Sequence, residues 1–400
     1  MLLQNKITSD LKRAKDSESD HEYDYSTLIE KQVIRAVKAG ARSFSEVCLA
    51  SNGAFPTDVF ATIQRLELSD KILVADRLVK HEQSNYEWPE PSPVDYEWRF
   101  TRKTAETLAT TSMEFGHRIL CIGTPTVFRN LILRGADAHL LDRNPLIADA
   151  FRRLPKERIH IADISESHRF SNLGGFDVVV MDPPWYPTYV NYWVSIASSI
   201  LVSNGTIILT LFPELTRPDA RLQRAMLLSN LDQFGTYEVI QQNISYETPL
   251  FERETLSAVG VPALPVWRTA DLVILQIRPS RSSLFAAPAP NEFQWDRFLF
   301  GTQVVAVRKT SEESRPISVS SPYEDLSYLL RSVSTRDPVR STIDLWTSRN
   351  RVAKVAGQRR ISEFLRILES GIPCREAISH ISTNSEEQTA LETIVALIGW

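Results

Sequence analysis

Short apolar, β-branched runs alternate with segments of helical hydrophobic spacing through the middle of the chain, between residues 117 and 280. This alternation is typical of a parallel sheet with helices on both faces. Seven strands are predicted, at residues 117–122, 138–142, 158–163, 176–181, 205–211, 237–240 and 270–277. Since no crossover helix is predicted between the last two strands, we expect them to form an antiparallel hairpin. The predicted fold class is therefore α/β, with a doubly wound sheet of seven strands.

Three helical segments precede this region, at residues 26–37, 43–50 and 56–66. Ser43 and Glu46 form a capping-box pattern at the start of the second segment. A short strand is predicted at residues 71–74, and three helices followed by such a strand indicate a winged helix-turn-helix over residues 1–81. These modules contact nucleic acid or other proteins. Both alternatives stay open, because the third helix has Arg65 as its one basic residue, among acidic ones.

Prolines punctuate residues 82–100, which predicts a stiff, extended linker. The α/β domain is then expected to span residues 101–282, and a small α+β domain is expected over residues 283–400. The elements predicted in the C-terminal domain are a strand pair at residues 295–308 and helices at 361–368 and 389–397. Residues 331–360 carry eight basic against two acidic side chains. Such a surplus binds phosphates or pairs with acidic groups of the same chain, and both alternatives stay open.

Composition narrows the class of protein. The 400 residues have a net charge of −4, which is no general signal for nucleic acid. Cys48, Cys121 and Cys374 are far apart and lack CxxC spacing, so we expect neither a disulfide framework nor a metal site. No apolar run reaches the roughly eighteen residues of a membrane span, and the first residues are too polar for a secretory signal. A soluble, cytoplasmic protein without a membrane partner is expected.

The tetrapeptide Asp182-Pro183-Pro184-Trp185 follows directly after the strand predicted at residues 176–181. Prolines cannot donate hydrogen bonds to the sheet, so they end the strand at its carboxyl edge, where α/β sheets bind ligands. Two further predicted strands end in acids, Asp142 and Asp163. A structural alternative is that the prolines only stop the strand and Asp182 caps the next helix.

The order of these elements resembles that of the class I S-adenosylmethionine-dependent methyltransferases, over residues 117–280. The turn at residues 121–126 is similar to the Ile-Gly-Thr-Pro turn of the probable N6-adenine methyltransferase family. Asp182–Trp185 matches the motif of methyltransferases that act on amino nitrogens. One departure is that Gly123 stands alone where a GxGxG-like turn is usual. The resemblance implies S-adenosylmethionine as cofactor and an amino nitrogen as acceptor, above all N6 of adenine in DNA or RNA.

The resemblance also implies roles for individual residues. Asp142 is placed to accept hydrogen bonds from the ribose, and Asp163 lies where such proteins contact the adenine amino group. Asp182 and the carbonyl beside the prolines accept the hydrogens of the substrate amine, and Trp185 offers a face for a stacked base. The predicted cofactor-binding residues are Cys121, Ile122, Gly123, Thr124, Asp142, Asn144, Asp163 and Ile164. The predicted catalytic residues are Asp182, Pro183, Pro184 and Trp185. The predicted substrate residues are Tyr186, Tyr246 and Phe251, of which buried packing explains the last two equally well.

Two other functions stay open. The turn at Gly123 is also compatible with a non-catalytic or cofactor-sensing scaffold that regulates through its terminal domains and their protein partners. In addition, a winged helix before this sheet resembles the layout of branched-chain polyamine synthases, which are aminopropyltransferases that use decarboxylated S-adenosylmethionine. Those enzymes favour clustered acids near the glycine turn. Residues 124–126 are Thr-Pro-Thr, which argues against a polyamine substrate.

Overall fold

The computed structural model describes residues 18–72, 88–169, 174–278, 285–288, 294–310, 315–333 and 337–400. Helices α1–α12 are Glu18–Lys38, Phe44–Ala50, Pro56–Arg65, Arg102–Phe115, Pro125–Leu133, Leu146–Ala150, Pro187–Ile200, Ala220–Leu231, Leu250–Ala258, Gln358–Glu369, Cys374–Ile381 and Ser385–Ile398. Strands β1–β13 are Arg99–Phe100, Arg118–Ile122, Asp137–Asp142, Ile159–Ile161, Phe176–Met181, Leu201–Leu211, Gly235–Glu247, Thr269–Ile277, Trp295–Phe300, Gln303–Arg308, Ser318–Ser320, Leu345–Thr347 and Val352–Ala356. In the part of the chain described, no helix combines the length and the apolar character that crossing a membrane requires.

The central sheet has the strand order β1-β7-β8-β6-β5-β2-β3-β4. Its strands β4, β3, β2, β5 and β6 run parallel, and β8 pairs antiparallel with both β6 and β7. The α/β class and the antiparallel pairing of the last two predicted strands are confirmed. The predicted number of seven strands is wrong, because Arg99 and Phe100 add an eighth strand at the edge, opposite Glu247 and Tyr246. Two residues are too few to show the alternation by which a strand is predicted.

The buried strands account for the position of the core. Val178, Val179 and Val180 of β5 are at most 1% exposed and pair in register with β2 and β6, so both faces of this strand are covered. This explains its unbroken apolar sequence. The connection between β7 and β8 contains α9, although no helix was expected there. Antiparallel pairing does not require a crossover. The segment between the two strands, residues 248–268, is therefore an excursion of the chain at the carboxyl edge of the sheet, and it contains α9.

The N-terminal helices pack on that excursion rather than standing apart. The capping box predicted at Ser43 and Glu46 is present. Phe55 meets Trp267 edge to face, with ring centroids 5.1 Å apart, and the Tyr25 hydroxyl donates to the Leu215 carbonyl at 3.0 Å. One apolar cluster unites α1–α3 with residues of the α9 region. The strand predicted at residues 71–74 lies, from residue 73, outside the described residues, so the wing stays a prediction.

The linker predicted at residues 82–100 is not an extended spacer where it is described, from residue 88 onward. The Asp95 carboxylate is buried between two arginines, Arg143 of the central domain at 3.3 Å and Arg297 of β9 at 2.5 Å. Glu90 accepts hydrogen bonds from Ser348 at 2.5 Å and from Arg349 at 3.1 Å. These ion pairs and hydrogen bonds hold the segment between the central and C-terminal domains. The spacing of prolines in the sequence does not indicate such contacts.

The C-terminal region is an antiparallel sheet of order β11-β13-β12-β10-β9 with α10–α12. The predicted strand pair and two predicted helices are present, whereas β11, β12, β13 and α11 were not predicted. Several of the basic residues that the structure describes between 331 and 360 have partners within the chain. Arg331 pairs with Asp325, Arg349 with Glu90 and Arg360 with Glu387, while Arg340 stacks on Tyr96 and Trp346. Arg336 lies outside the described residues. The three ion pairs favour the intramolecular interpretation for Arg331, Arg349 and Arg360.

Candidate active site

The turn after β2 forms the first wall of the site. Gly123 adopts a φ of 63°, which a side chain disfavours, and its N–H donates to the Leu141 carbonyl at 2.9 Å. Cys121 and Ile122 are buried in β2, and burial raises the pKa of the Cys121 thiol to about 12, so this thiol stays neutral. Thr124 is 1% exposed, and its hydroxyl donates to the Val180 carbonyl at 3.4 Å. The turn is thereby tied to both neighbouring strands.

The indole of Trp193, on α7, bounds this turn. A Cβ added at Gly123 would meet the Trp193 ring at 3.5 Å, an ordinary contact distance. The backbone conformation, more than crowding, therefore requires glycine at this position. Pro125 follows as the first residue of α5, so the N-terminus of that helix opens at the same edge of the sheet.

Asp142 ends β3 in a cluster of acidic groups. Its Oδ1 accepts the N–H of Asn144 at 2.9 Å, and the Asn144 side chain donates to Glu97 Oε2 at 3.3 Å. Burial, followed by the negative charges of Glu97 and Asp95, raises the pKa of Asp142 to about 7. The protein stabilises the ionised form of this carboxyl group only weakly, so its oxygens remain able to accept hydrogen bonds from a bound ligand.

Asp163 follows β4 and has a local partner. Its Oδ1 accepts the backbone N–H of Ser165 at 2.9 Å and the Ser165 hydroxyl at 2.6 Å. Ile164, 8% exposed, begins the short 3₁₀ helix Ile164–Arg169. The structure thus places Asp163 at the carboxyl edge beside β3, and its contact with a cofactor stays a prediction.

Asp182 follows β5 and is held by two hydroxyl groups, one from the adjacent strand β6 and one from β7, which lies further along the same sheet. Thr210 of β6 and Tyr246 of β7 both donate to its Oδ1, the latter at 2.9 Å. The Asp182 N–H donates to the Ile122 carbonyl at 3.5 Å, which joins this position to the Gly123 turn. Burial raises the pKa of Asp182 above its usual value, although these hydroxyls and the charge of Arg268 oppose the shift. The Asp182 carboxylate therefore has a fixed orientation.

The face of Trp185 is occupied in this structure. The guanidinium carbon of Arg268 lies 3.7 Å from the centre of the Trp185 ring, and Trp185 is only 8% exposed. Pro183 is buried and Pro184 is partly exposed. A base that stacks on Trp185 from this side would have to displace Arg268.

The three predicted substrate residues lie in different surroundings. Tyr246 is 1% exposed and touches Asp182, so it belongs to the site as a buried support. Tyr186 is 40% exposed, and the guanidinium carbon of Arg217 lies 4.9 Å from the centre of its ring. Phe251 is 3% exposed within α9, which agrees with packing rather than with surface contact.

Sequence reasoning missed Thr210, Arg268, Glu252 and Glu97. Thr210 is the one polar side chain in the apolar run Ile207–Leu211 of β6, and this interruption was an available signal. Glu252 is 1% exposed, and burial raises its pKa to about 7 despite the charge of Arg268. Glu97 reaches Asn144 from the predicted linker. Neither of these two acids shows any local pattern that marks it.

A comparison with known protein families finds a match to part of the chain. Residues 97–252 match the family model of probable N6-adenine methyltransferases. The match confirms the predicted resemblance to S-adenosylmethionine-dependent methyltransferases. The matched span includes Glu97, Gly123, Asp142 and Asp182. No curated protein matches the chain.

Solved structures show a weaker likeness. A branched-chain polyamine synthase mutein from Thermus thermophilus is 15% identical over 65% of this chain and 90% of that chain, with a TM-score of 0.48. A 16S rRNA methyltransferase from Thermus thermophilus is 12% identical over 53% of this chain and 47% of that chain, with a TM-score of 0.29. Neither likeness is close enough to indicate a substrate.

Proposed function

We propose that the protein is an S-adenosylmethionine-dependent methyltransferase that acts on an amino nitrogen, most specifically N6 of adenine in nucleic acid. The observation that carries this proposal is the Asp182 carboxylate, which Thr210 and Tyr246 orient at the strand end beside the Gly123 turn. The family match over residues 97–252 supports the same reaction class.

The residues around the turn fit the cofactor. The left-handed Gly123 leaves its backbone open to close approach, and Asp142 at the end of the adjacent strand offers carboxylate oxygens to a ribose. Asn144 and Glu97 fix the loop beside Asp142. When bound, the cofactor supplies an electrophilic methyl group on a sulfonium centre.

Asp182 suits an amino acceptor because a conjugated amine is a poor nucleophile. A carboxylate that accepts a hydrogen of the amine draws the nitrogen toward tetrahedral geometry and directs its lone pair. Both hydroxyl donors bind Oδ1, so the orientation of the carboxyl group is set before substrate arrives. Strong basicity is not required of Asp182, since the proton can leave after transfer.

Exposed aromatic rings with arginine side chains beside them support a nucleic-acid substrate. Tyr96 is 44% exposed, with Arg340 of the C-terminal domain 4.4 Å from its ring. Arg340 also interacts electrostatically with Tyr186, beside which Arg217 lies. Exposed rings flanked by guanidinium groups are typical of surfaces that stack unpaired bases and bind phosphates.

Titration calorimetry with S-adenosylmethionine and, separately, its decarboxylated form tests the proposal first. Binding of the intact cofactor that Asp142→Ala removes is the expected result, followed by radiolabelled methyl transfer to DNA, RNA and protein. Activity on nucleic acid should disappear in Asp182→Ala. Preference for the decarboxylated form would indicate aminopropyl transfer instead, and binding of neither form would indicate a scaffold.

A further inference from the structure

The excursion between β7 and β8 carries an arginine into the aromatic walls of the site. The guanidinium carbon of Arg268 lies 3.7 Å from the ring centre of Trp185, 4.6 Å from that of Trp98 and 5.7 Å from that of Tyr246. Trp185 and Tyr246 meet at 72° and Trp98 and Tyr246 at 89°. Three rings at such angles form an aromatic box that binds a cation, and in this protein the bound cation is the guanidinium of Arg268.

Two carboxyl groups lie within electrostatic range of the same guanidinium. Asp182 and Glu252 both interact electrostatically with Arg268. Glu252 is 1% exposed, and its Oε1 has no hydrogen-bond partner among the described residues. Without Arg268, three aromatic rings and two carboxyl groups would remain, and these are the components of an ammonium site.

We propose that Arg268 is a specificity-determining residue, a built-in cation that makes the site reject positively charged amines and accept uncharged amino nitrogens. This inference rests on the proposed function and deepens it, because it states the charge of the acceptor. An arginine stays protonated at any physiological pH, so an ammonium entering beside Asp182 always meets a like charge. A neutral heteroaromatic amine meets no such repulsion and can take the place of the planar guanidinium on Trp185.

Binding of spermidine to the full chain without cofactor, at fixed pH and 0.15 M salt, provides the test. Arg268→Gln should bind spermidine at least about tenfold more tightly than the wild-type protein. The repulsion energy of two like unit charges a few ångströms apart exceeds the binding free energy that corresponds to a tenfold change in Kd. Arg268→Lys keeps the charge and should bind spermidine as weakly as wild type.

Matched controls separate this effect from changes in net charge and in folding. Arg134→Gln removes one positive charge from an exposed position just past the C-terminal end of α5, away from the carboxyl edge, and should gain nothing. Arg268→Met preserves the length of the stem, and melting curves identify variants that fail to fold. Unchanged spermidine binding in Arg268→Gln and Arg268→Met, or an equal gain in Arg268→Lys or Arg134→Gln, would overturn the inference, as would tight binding by wild type. These measurements need no S-adenosylmethionine, so failure of the wild-type protein to bind the cofactor would count against the proposed function alone.

Discussion

The raised pKa of Asp142 predicts that cofactor binding depends on pH in the neutral range. Its pKa is about 7, against 3.8 for an ordinary aspartate, because burial and then Glu97 disfavour its charge. In the proposed complex the ionised form would accept hydrogen bonds from both ribose hydroxyls, whereas the protonated form keeps a hydrogen of its own. Affinity should therefore be fully present above pH 7 and should decline as the pH falls through that value.

The magnitude follows from the fraction of Asp142 that is ionised. With a pKa of about 7, the carboxyl is about 90% ionised at pH 8 and about 10% at pH 6. Since apparent affinity scales with the competent fraction, the Kd for S-adenosylmethionine should rise about tenfold between pH 8 and pH 6. Calorimetry across this range measures the profile, and repeating it with adenosine removes the titrating amino group of the cofactor from consideration.

Two variants test the cause. Glu97→Gln removes the neighbouring negative charge, so the midpoint of the profile should move to lower pH and binding at pH 6 should improve. Glu106→Gln, an exposed substitution of the same kind on α4, should leave the profile unchanged. Asp142→Asn should bind weakly at every pH. A flat wild-type profile between pH 6 and pH 8, or a slope that persists in Asp142→Asn, would refute the reasoning.

Three further outcomes are expected. Tyr246→Phe removes a hydroxyl from Asp182 but keeps the ring, so steady-state kinetics should show kcat reduced about tenfold with the KM for cofactor unchanged, in line with a lost hydrogen bond to a charged group; an unchanged kcat would contradict this role. Gly123→Ala imposes a left-handed alanine at a cost of about 1–2 kcal/mol, to be seen as a lower melting temperature and weaker cofactor binding. Glu387→Gln breaks a buried pair with Arg360 and should lower the free energy of unfolding by about 3 kcal/mol at pH 7. Because the pair holds the pKa of Glu387 below its usual 4.5, urea titrations should show the difference shrinking as the pH falls below that value, whereas a constant difference would exclude the pair as its cause.

The predicted elements were confirmed where a local pattern carries the information. The strand at residues 176–181 has its predicted bounds, since a fully buried strand needs an uninterrupted apolar run. The capping box at Ser43 depends on residues three apart and was likewise visible in advance. The edge strand at residues 99–100 and the short strands of the C-terminal region were missed, because pairing with distant residues, not their own sequence, makes them strands.

The candidate site divides in the same way. The sequence by itself determined that Gly123, Asp142, Asp163 and Asp182 come to one edge, because parallel strands align their carboxyl ends whatever the loops do. Only the tertiary structure decided what surrounds each acid. Some side chains of the site come from far along the chain, because β7 and β8 pair antiparallel and because the linker folds against the central domain. The sequence around each of these side chains does not indicate which residue of the site it contacts. These side chains are Tyr246, which lies 64 residues beyond Asp182, Glu97, which lies 47 residues before Asn144, and Arg268, which lies in the box beside Trp185. The charge and the pKa values of the site, and with them the proposed selectivity, are therefore tertiary properties.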